Sequence, residues 1–302
     1  MKLIYKFLTF LLPVIILLGC NTTSTLESNE NVEPGSISLI TISELIQKQK
    51  QVKIIDLRSK QAFSRNHITG AQLVSREEME NTDHALEGMM ATSQQMQKLL
   101  SKLGIKPDDF IVLYDDNGNP EASRLFWILD FYGHIKKAIL DGGYLAWKHE
   151  KKILNKQIIA VKPTNYVFSN KVNKKHYADL LEVKRAVNDT NYVIIDTRSS
   201  EEFKGTIGRN INGKKSVKEA HISNSKHIDY EENLDKNNCK RLKTIKQLRK
   251  LYASIPRNKK IICYCHSGVR SALSTFVLSE ILKYPNVKNY DGSWIEWSAT
   301  NN

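Results

Sequence analysis

Apolar runs of strand length recur along the chain at Val52–Asp56, Phe110–Tyr114, Tyr192–Asp196 and Lys260–Tyr264. They are short and nearly continuous in Ile, Val and Leu, which is the pattern of strands covered on both faces. Between them, apolar positions three and four residues apart predict helices over Thr41–Lys50, Gln94–Leu103, Ala122–Tyr132, Leu242–Ala253 and Ser271–Leu282. Strands that alternate with helices specify an α/β fold, a parallel sheet with helices on both faces.

The pattern occurs twice. Val52-Lys-Ile-Ile-Asp56-Leu-Arg58 is followed by Phe63 and His67-Ile68, and Tyr192-Val-Ile-Ile-Asp196-Thr-Arg198 by Phe203 and His221-Ile222. Later, Asp141-Gly-Gly-Tyr-Leu-Ala-Trp147 matches Asp291-Gly-Ser-Trp-Ile-Glu-Trp297. Tyr114 to Asp141 and Tyr264 to Asp291 are both 27 positions apart, so the later halves superimpose at an offset of 150. Two copies of one domain suit a chain of 302 residues.

The ends read differently. Lys2 and Lys6 precede an apolar run from Phe7 to Leu18, shorter than the roughly 20 residues of a membrane span. Leu17-Leu18-Gly19-Cys20 then resembles the bacterial lipoprotein signal, which implies removal of residues 1–20, lipidation of Cys20 and a membrane anchor. The expected location is the cell envelope, facing the periplasm or the exterior. Residues 21–37 are polar and aperiodic and read as a flexible tether. The expected organisation is a first domain over 38–150, a basic connector over 151–175 and a second domain over 176–300. The formal charge is +13, but the basic residues are scattered, with no Arg-rich stripe interleaved with aromatics, so a nucleic-acid partner is not expected.

An exported chain meets an oxidising compartment, yet Cys239, Cys263 and Cys265 leave at least one thiol unpaired. No cysteine–histidine set has metal-site spacing, and neither a metal nor another cofactor is expected. The strand ending at Tyr264 runs into Cys265-His266-Ser267-Gly268-Val269-Arg270 and then a helix. A tight turn at the carboxyl end of a parallel strand lets backbone N–H groups converge on an anion. Gly268 supplies the unusual backbone angle and Arg270 a fixed charge, so Cys265 is the candidate nucleophile in its thiolate form.

The loop C-x-x-G-x-R, behind the Asp196-x-Arg198 strand and ahead of Tyr290-Asp-Gly-Ser-Trp, resembles the active domain of tandem rhodaneses, the thiosulfate and 3-mercaptopyruvate sulfurtransferases. The resemblance spans about residues 36 to 300. It implies that Cys265 takes sulfane sulfur from a small anionic donor as a persulfide and yields it to cyanide or a thiol. It also implies an inactive first domain that walls the site. The first copy fits that role, because Asp115 stands where Cys265 stands and Gly118 where Gly268 stands. Carboxylates at Asp115 and Asp116 are expected to abolish both sulfur transfer and anion binding there.

Other assignments follow from comparing the copies. Asp196 and Arg198 recur as Asp56 and Arg58, and His221 as His67, so all are expected to be scaffold. Cys263, Trp294 and Trp297 read as core. Phosphatase-like and arsenate-reductase-like relatives place Arg six positions after Cys, against five here, which makes this loop a smaller cradle. Donor choice is open: Cys-His-Ser-Gly matches neither the thiosulfate-type nor the mercaptopyruvate-type loop. Glu202 stands where both types have an arginine, and would repel an anion unless Arg198 neutralises it; Arg270 is a candidate replacement contact. A binding or sulfur-carrying module without turnover is the alternative from another class.

Overall fold

The computed structural model describes residues 38–169, 171–207 and 220–300; the expected export signal, Cys20 and the expected tether lie outside them. The first domain holds five strands, β1 Leu39–Ile40, β2 Val52–Asp56, β3 Ala71–Leu73, β4 Phe110–Tyr114 and β5 Lys137–Leu140. They are all parallel, in the order β1-β5-β4-β2-β3. The second domain repeats this with β6 Tyr177–Ala178, β7 Tyr192–Asp196, β8 Lys226–His227, β9 Lys260–Tyr264 and β10 Val287–Tyr290, in the order β6-β10-β9-β7-β8.

Each sheet is covered on both faces because successive residues of its central strands point opposite ways. Ile111 and Leu113 of β4 pack beneath α3 (Ser93–Lys102) and α4 (Pro120–Phe131). Val112 and Tyr114 face α1 (Ile42–Lys48), α2 (Lys60–Arg65) and α5 (Gly143–His149). In the second domain Ile261 and Cys263 face α8 (Ile245–Leu251) and α9 (Arg270–Phe276). Ile262 and Tyr264 face α6 (Leu180–Ala186) and α10 (Ser293–Thr300), with α7 (Ser200–Phe203) following β7. Thr41, Thr92 and Thr244 each close a capping box with a Glu or Gln three residues on, and α8 therefore starts at Ile245, later than the expected Leu242, which pairs as a strand with Leu234.

The connector is strapped to the first domain. Leu154–Asn155 pairs with His67–Ile68, and Tyr166 and Phe168 are buried in the first domain's core. The domains meet across α4 and α9, where Phe126 and Phe276 touch edge to face at 5.1 Å. Two matched polar clamps flank that contact. Asp291 accepts from Arg124 at 2.6 Å and from the Met90 amide at 3.3 Å; its counterpart Asp141 accepts from Arg241 at 3.1 Å and the Leu242 amide at 3.2 Å. The aspartates of the two Asp-Gly motifs thus bind the opposite domain. That role needs both copies folded together and leaves no local trace in the sequence.

Candidate active site

Strand β9 ends at Tyr264, whose hydroxyl donates to Asp196 at 2.6 Å, and Arg198 closes a buried fork on the same carboxylate at 2.6–3.1 Å. The Arg58–Asp56–Tyr114 group in the first domain is built the same way. Asp196 and Arg198 therefore hold the sheet edge beneath the loop and do not face the cleft. His221 stacks on Phe203 at 4.0 Å and bonds its carbonyl at 2.9 Å, as His67 does with Phe63 at 3.9 and 3.0 Å. Cys263, Trp294 and Trp297 are buried, and burial pushes the Cys263 thiol up to about 12.

Cys265 stands one residue beyond β9, buried at the floor of the loop. Its amide donates to Ser293 Oγ at 3.2 Å, and its carbonyl accepts from the Trp294 amide at 3.1 Å. Burial alone would raise its pKa. The Arg270 charge, the Ser271 hydroxyl at 3.5 Å, and the Ser271 and Ser267 backbone amides outweigh that and hold it below the usual thiol value. Gly268 makes the turn at φ +76°, and a Cβ there would lie 2.8 Å from both Arg124 Nη1 and the Asp291 carbonyl. Asn289 donates to the Gly268 carbonyl at 2.9 Å and accepts from Ser271 at 2.6 Å, so it ties the loop to β10. Val269 precedes the first turn of α9.

The first domain's loop shows what this backbone is shaped to hold. Asp115 Oδ1 accepts from the amides of Asn117 and Asn119, both at 2.8 Å, and Oδ2 from those of Glu121 and Ala122 at 2.9 and 3.3 Å. At the offset of 150, Asn117 and Glu121 correspond to Ser267 and Ser271, the two residues whose amides point at Cys265. The cradle persists here, and Asp115 fills it with its own carboxylate, which supplies a physical reason for the expected loss of anion binding in this copy. The four N–H bonds do not fully offset burial, and Asp115 is pushed up to about 6.

Arg270 lines the cleft and its charge acts on Cys265, and it also has a protein partner. Its guanidinium forms a bidentate pair with Glu202, Nη1 to Oε2 at 2.5 Å and Nη2 to Oε1 at 2.9 Å. Glu202 is held down to about 2: burial opposes ionisation, but the hydrogen bonds and charge of Arg270 dominate. Arg270 is therefore the ion-pair partner of Glu202, and the charge of Arg198 adds a smaller contribution. The two departures from the sulfurtransferase pattern compensate each other as one ion pair, and Arg270 still lines the cleft.

The first domain walls the cleft, of about 830 Å³, and contributes a residue that sequence reasoning missed. Arg76 Nη2 donates to Ser267 Oγ at 2.7 Å, across 191 positions of sequence, while Nε and Nη1 bind Glu80 and Glu121 at 2.8 and 3.0 Å. The reciprocal contact runs from Asn117 to the Tyr230 hydroxyl at 3.5 Å. His266 and Ser267 line the cleft beside Cys265. Among the described residues, no group of three His, Cys, Asp or Glu gathers as a metal site.

The comparisons agree with this geometry. The family model for the rhodanese-like domain matches residues 41–150 and 179–300. A Mycobacterium tuberculosis protein, provisionally named a thiosulfate sulfurtransferase, is 34% identical over 244 residues, covering 79% of this chain and 85% of its own. The thiosulfate sulfurtransferase of Azotobacter vinelandii is 28% identical over 267 residues, 88% of this chain and 93% of that one. Among solved structures, SseA from Escherichia coli superimposes with a TM-score of 0.74 at 24% identity, over 86% of this chain and 99% of its own, and shows the same fold. Two matched domains, two sheets of one topology and one cysteine-bearing loop place this chain in the rhodanese family, with two rhodanese-like domains in tandem.

Proposed function

We propose that the chain is a sulfurtransferase that carries sulfane sulfur on Cys265, from thiosulfate or 3-mercaptopyruvate to a thiophilic acceptor such as cyanide or a thiol. The Cys265 thiolate attacks the donor's outer sulfur. With thiosulfate the donor S–S bond breaks and its electron pair leaves with sulfite; with 3-mercaptopyruvate the C–S bond breaks and pyruvate leaves after taking a proton. The acceptor then attacks the outer sulfur of the persulfide and returns Cys265 as thiolate. Backbone N–H groups suit this cycle because they stabilise the anion in every state without a proton transfer.

The observation that carries the reading is the paired cradle: one backbone shape, closed on a carboxylate at Asp115 and on a sulfur of lowered pKa at Cys265. The test is the intact mass of the chain after thiosulfate or 3-mercaptopyruvate treatment, for wild type and Cys265→Ser. One added sulfur, present only in wild type and removed by cyanide, is expected. A wild type that takes up no sulfur, or a serine variant that still does, would sink the proposal.

We further propose that the chain is exported and anchored through lipid on Cys20, supported by Lys2, Lys6, the apolar run to Leu18 and Gly19-Cys20. Incorporation of labelled fatty acid into wild type but not Cys20→Ser is the expected result. Equal labelling of both would contradict it.

A further inference from the structure

The whole chain is strongly basic, yet the described residues that line the cleft over Cys265 carry the opposite charge. Seven of its lining side chains are carboxylates and two are arginines, which leaves five negative charges among the described residues. Both arginines are already committed, Arg76 to Glu80 and Glu121, and Arg270 to Glu202. Lys236 answers Glu231 at 2.7 Å, and Lys240 binds Asn117 at 2.5 Å. Glu77, Glu87, Glu201 and Asp229 have no ion pair among the described residues, and the first three are exposed at the rim. A cleft lined by one sign of charge concentrates ligands of the other sign and lowers the local concentration of ligands of its own.

We propose that this cleft selects its sulfur acceptor by charge, favouring a thiol that carries a cationic group over an anionic one. The proposal rests on Cys265 as sulfur carrier. The acceptor's thiolate attacks the outer sulfur of the Cys265 persulfide; the persulfide S–S bond breaks towards Cys265, which leaves as thiolate, and the acceptor departs as its own persulfide with the outer sulfur's proton. A protonated amine on the acceptor, as in cysteamine, would meet opposite charges on the rim carboxylates as it enters the cleft. A carboxylate in the same place would meet like charges. The same field opposes entry of a dianionic donor, so sulfur loading from thiosulfate should become easier as salt rises.

Two measurements on the full chain separate this inference from the function it builds on. The first is modification of Cys265 by a trimethylammonium-ethyl and a sulfonato-ethyl methanethiosulfonate, each rate divided by that reagent's rate with free 2-mercaptoethanol. At about 20 mM ionic strength the corrected cation-to-anion ratio should reach about tenfold. It should fall towards two at 0.5 M salt, where the screening length is only a few ångströms. Glu77→Gln/Glu87→Gln/Glu201→Gln should at least halve the low-salt ratio. A ratio at or below one, or one indifferent to salt and to the triple variant, overturns the inference whether or not Cys265 carries sulfur. The second is discharge of the preloaded persulfide by cysteamine, 2-mercaptoethanol and 3-mercaptopropionate, compared per thiolate, with the same order expected. Absence of sulfur on Cys265 before any acceptor is added refutes the proposed function instead.

Discussion

The Arg270–Glu202 pair makes a signed prediction about Cys265. Arg270→Gln removes the cation that most lowers the thiol and leaves the Glu202 carboxylate, only 8% exposed, without its ion-pair partner. A neighbouring charge moves a pKa by roughly 1–3 units, so about two units upward is expected, at about 1.4 kcal/mol per unit. Below the wild-type midpoint this lowers the thiolate fraction about 100-fold. Each remaining thiolate becomes more nucleophilic by somewhat under tenfold, for a Brønsted slope of about 0.4–0.5. The net loss in alkylation or sulfur-uptake rate is therefore about tenfold. Glu202→Gln acts oppositely: it frees Arg270 from its counter-charge and should lower the Cys265 midpoint by about one unit. The double variant should fall between the single ones. Iodoacetamide alkylation of the Cys265 peptide, followed against pH by mass spectrometry, reads all three. Cys263 stays silent because its pKa is far higher. Shifts of the same sign in both single variants, or a double variant outside their range, would refute the assignment of Arg270 as the cation that sets the thiolate.

Two further predictions concern the scaffold. Asp291→Ala leaves Arg124 buried without its carboxylate, and should cost about 3–5 kcal/mol in the denaturant unfolding of the full chain. Arg124→Met in the same chain should restore most of that, and no recovery would show that Asp291 acts through something other than its charge. Asp115 makes a pH prediction. Its pKa is about 3.8 as an ordinary side chain and about 6 when folded, so the unfolded chain releases this proton first as pH rises. Stability present below about pH 4 should be lost by about pH 6, up to about 3 kcal/mol from this group. The melting temperature of Asp115→Asn minus that of wild type should rise over this interval, and a flat difference would mean that Asp115 is not a buried acid of raised pKa.

Much of the site was legible because it is built from local rules repeated twice. The apolar runs mark the central strands, and the equal spacing to Asp141 and Asp291 aligns Cys265 with Asp115 from sequence alone. The illegible part is the set of contacts between distant segments. Arg76 reaches Ser267, and Arg124 reaches Asp291, only because two complete domains fold and dock. Glu202 was read as an obstacle to anions because its partner, Arg270, lies 68 positions away on another element. Single-residue comparison with known loops sees two anomalies there, whereas the structure contains one ion pair.

The two loops also explain how a domain without a nucleophile still belongs to the site. An N–H cradle left empty after loss of its sulfur would bury unpaired donors, and each such donor costs about 1–3 kcal/mol. Asp115 removes that penalty because its two oxygens take up four amides at once. The first domain's loop is thereby fixed by its own side chain and needs no ligand to keep its shape. Rigidity of this kind is what its remaining work requires. Arg76 must present one edge to Ser267 while Glu80 and Glu121, the latter on the helix that starts from this loop, hold the other two donors. Arg124, one turn further along the same helix, closes against Asp291 and the turn at Gly268. Filling the first cradle thus sets the position of the helix that supports the second, and the catalytic loop depends on a domain that does no chemistry itself.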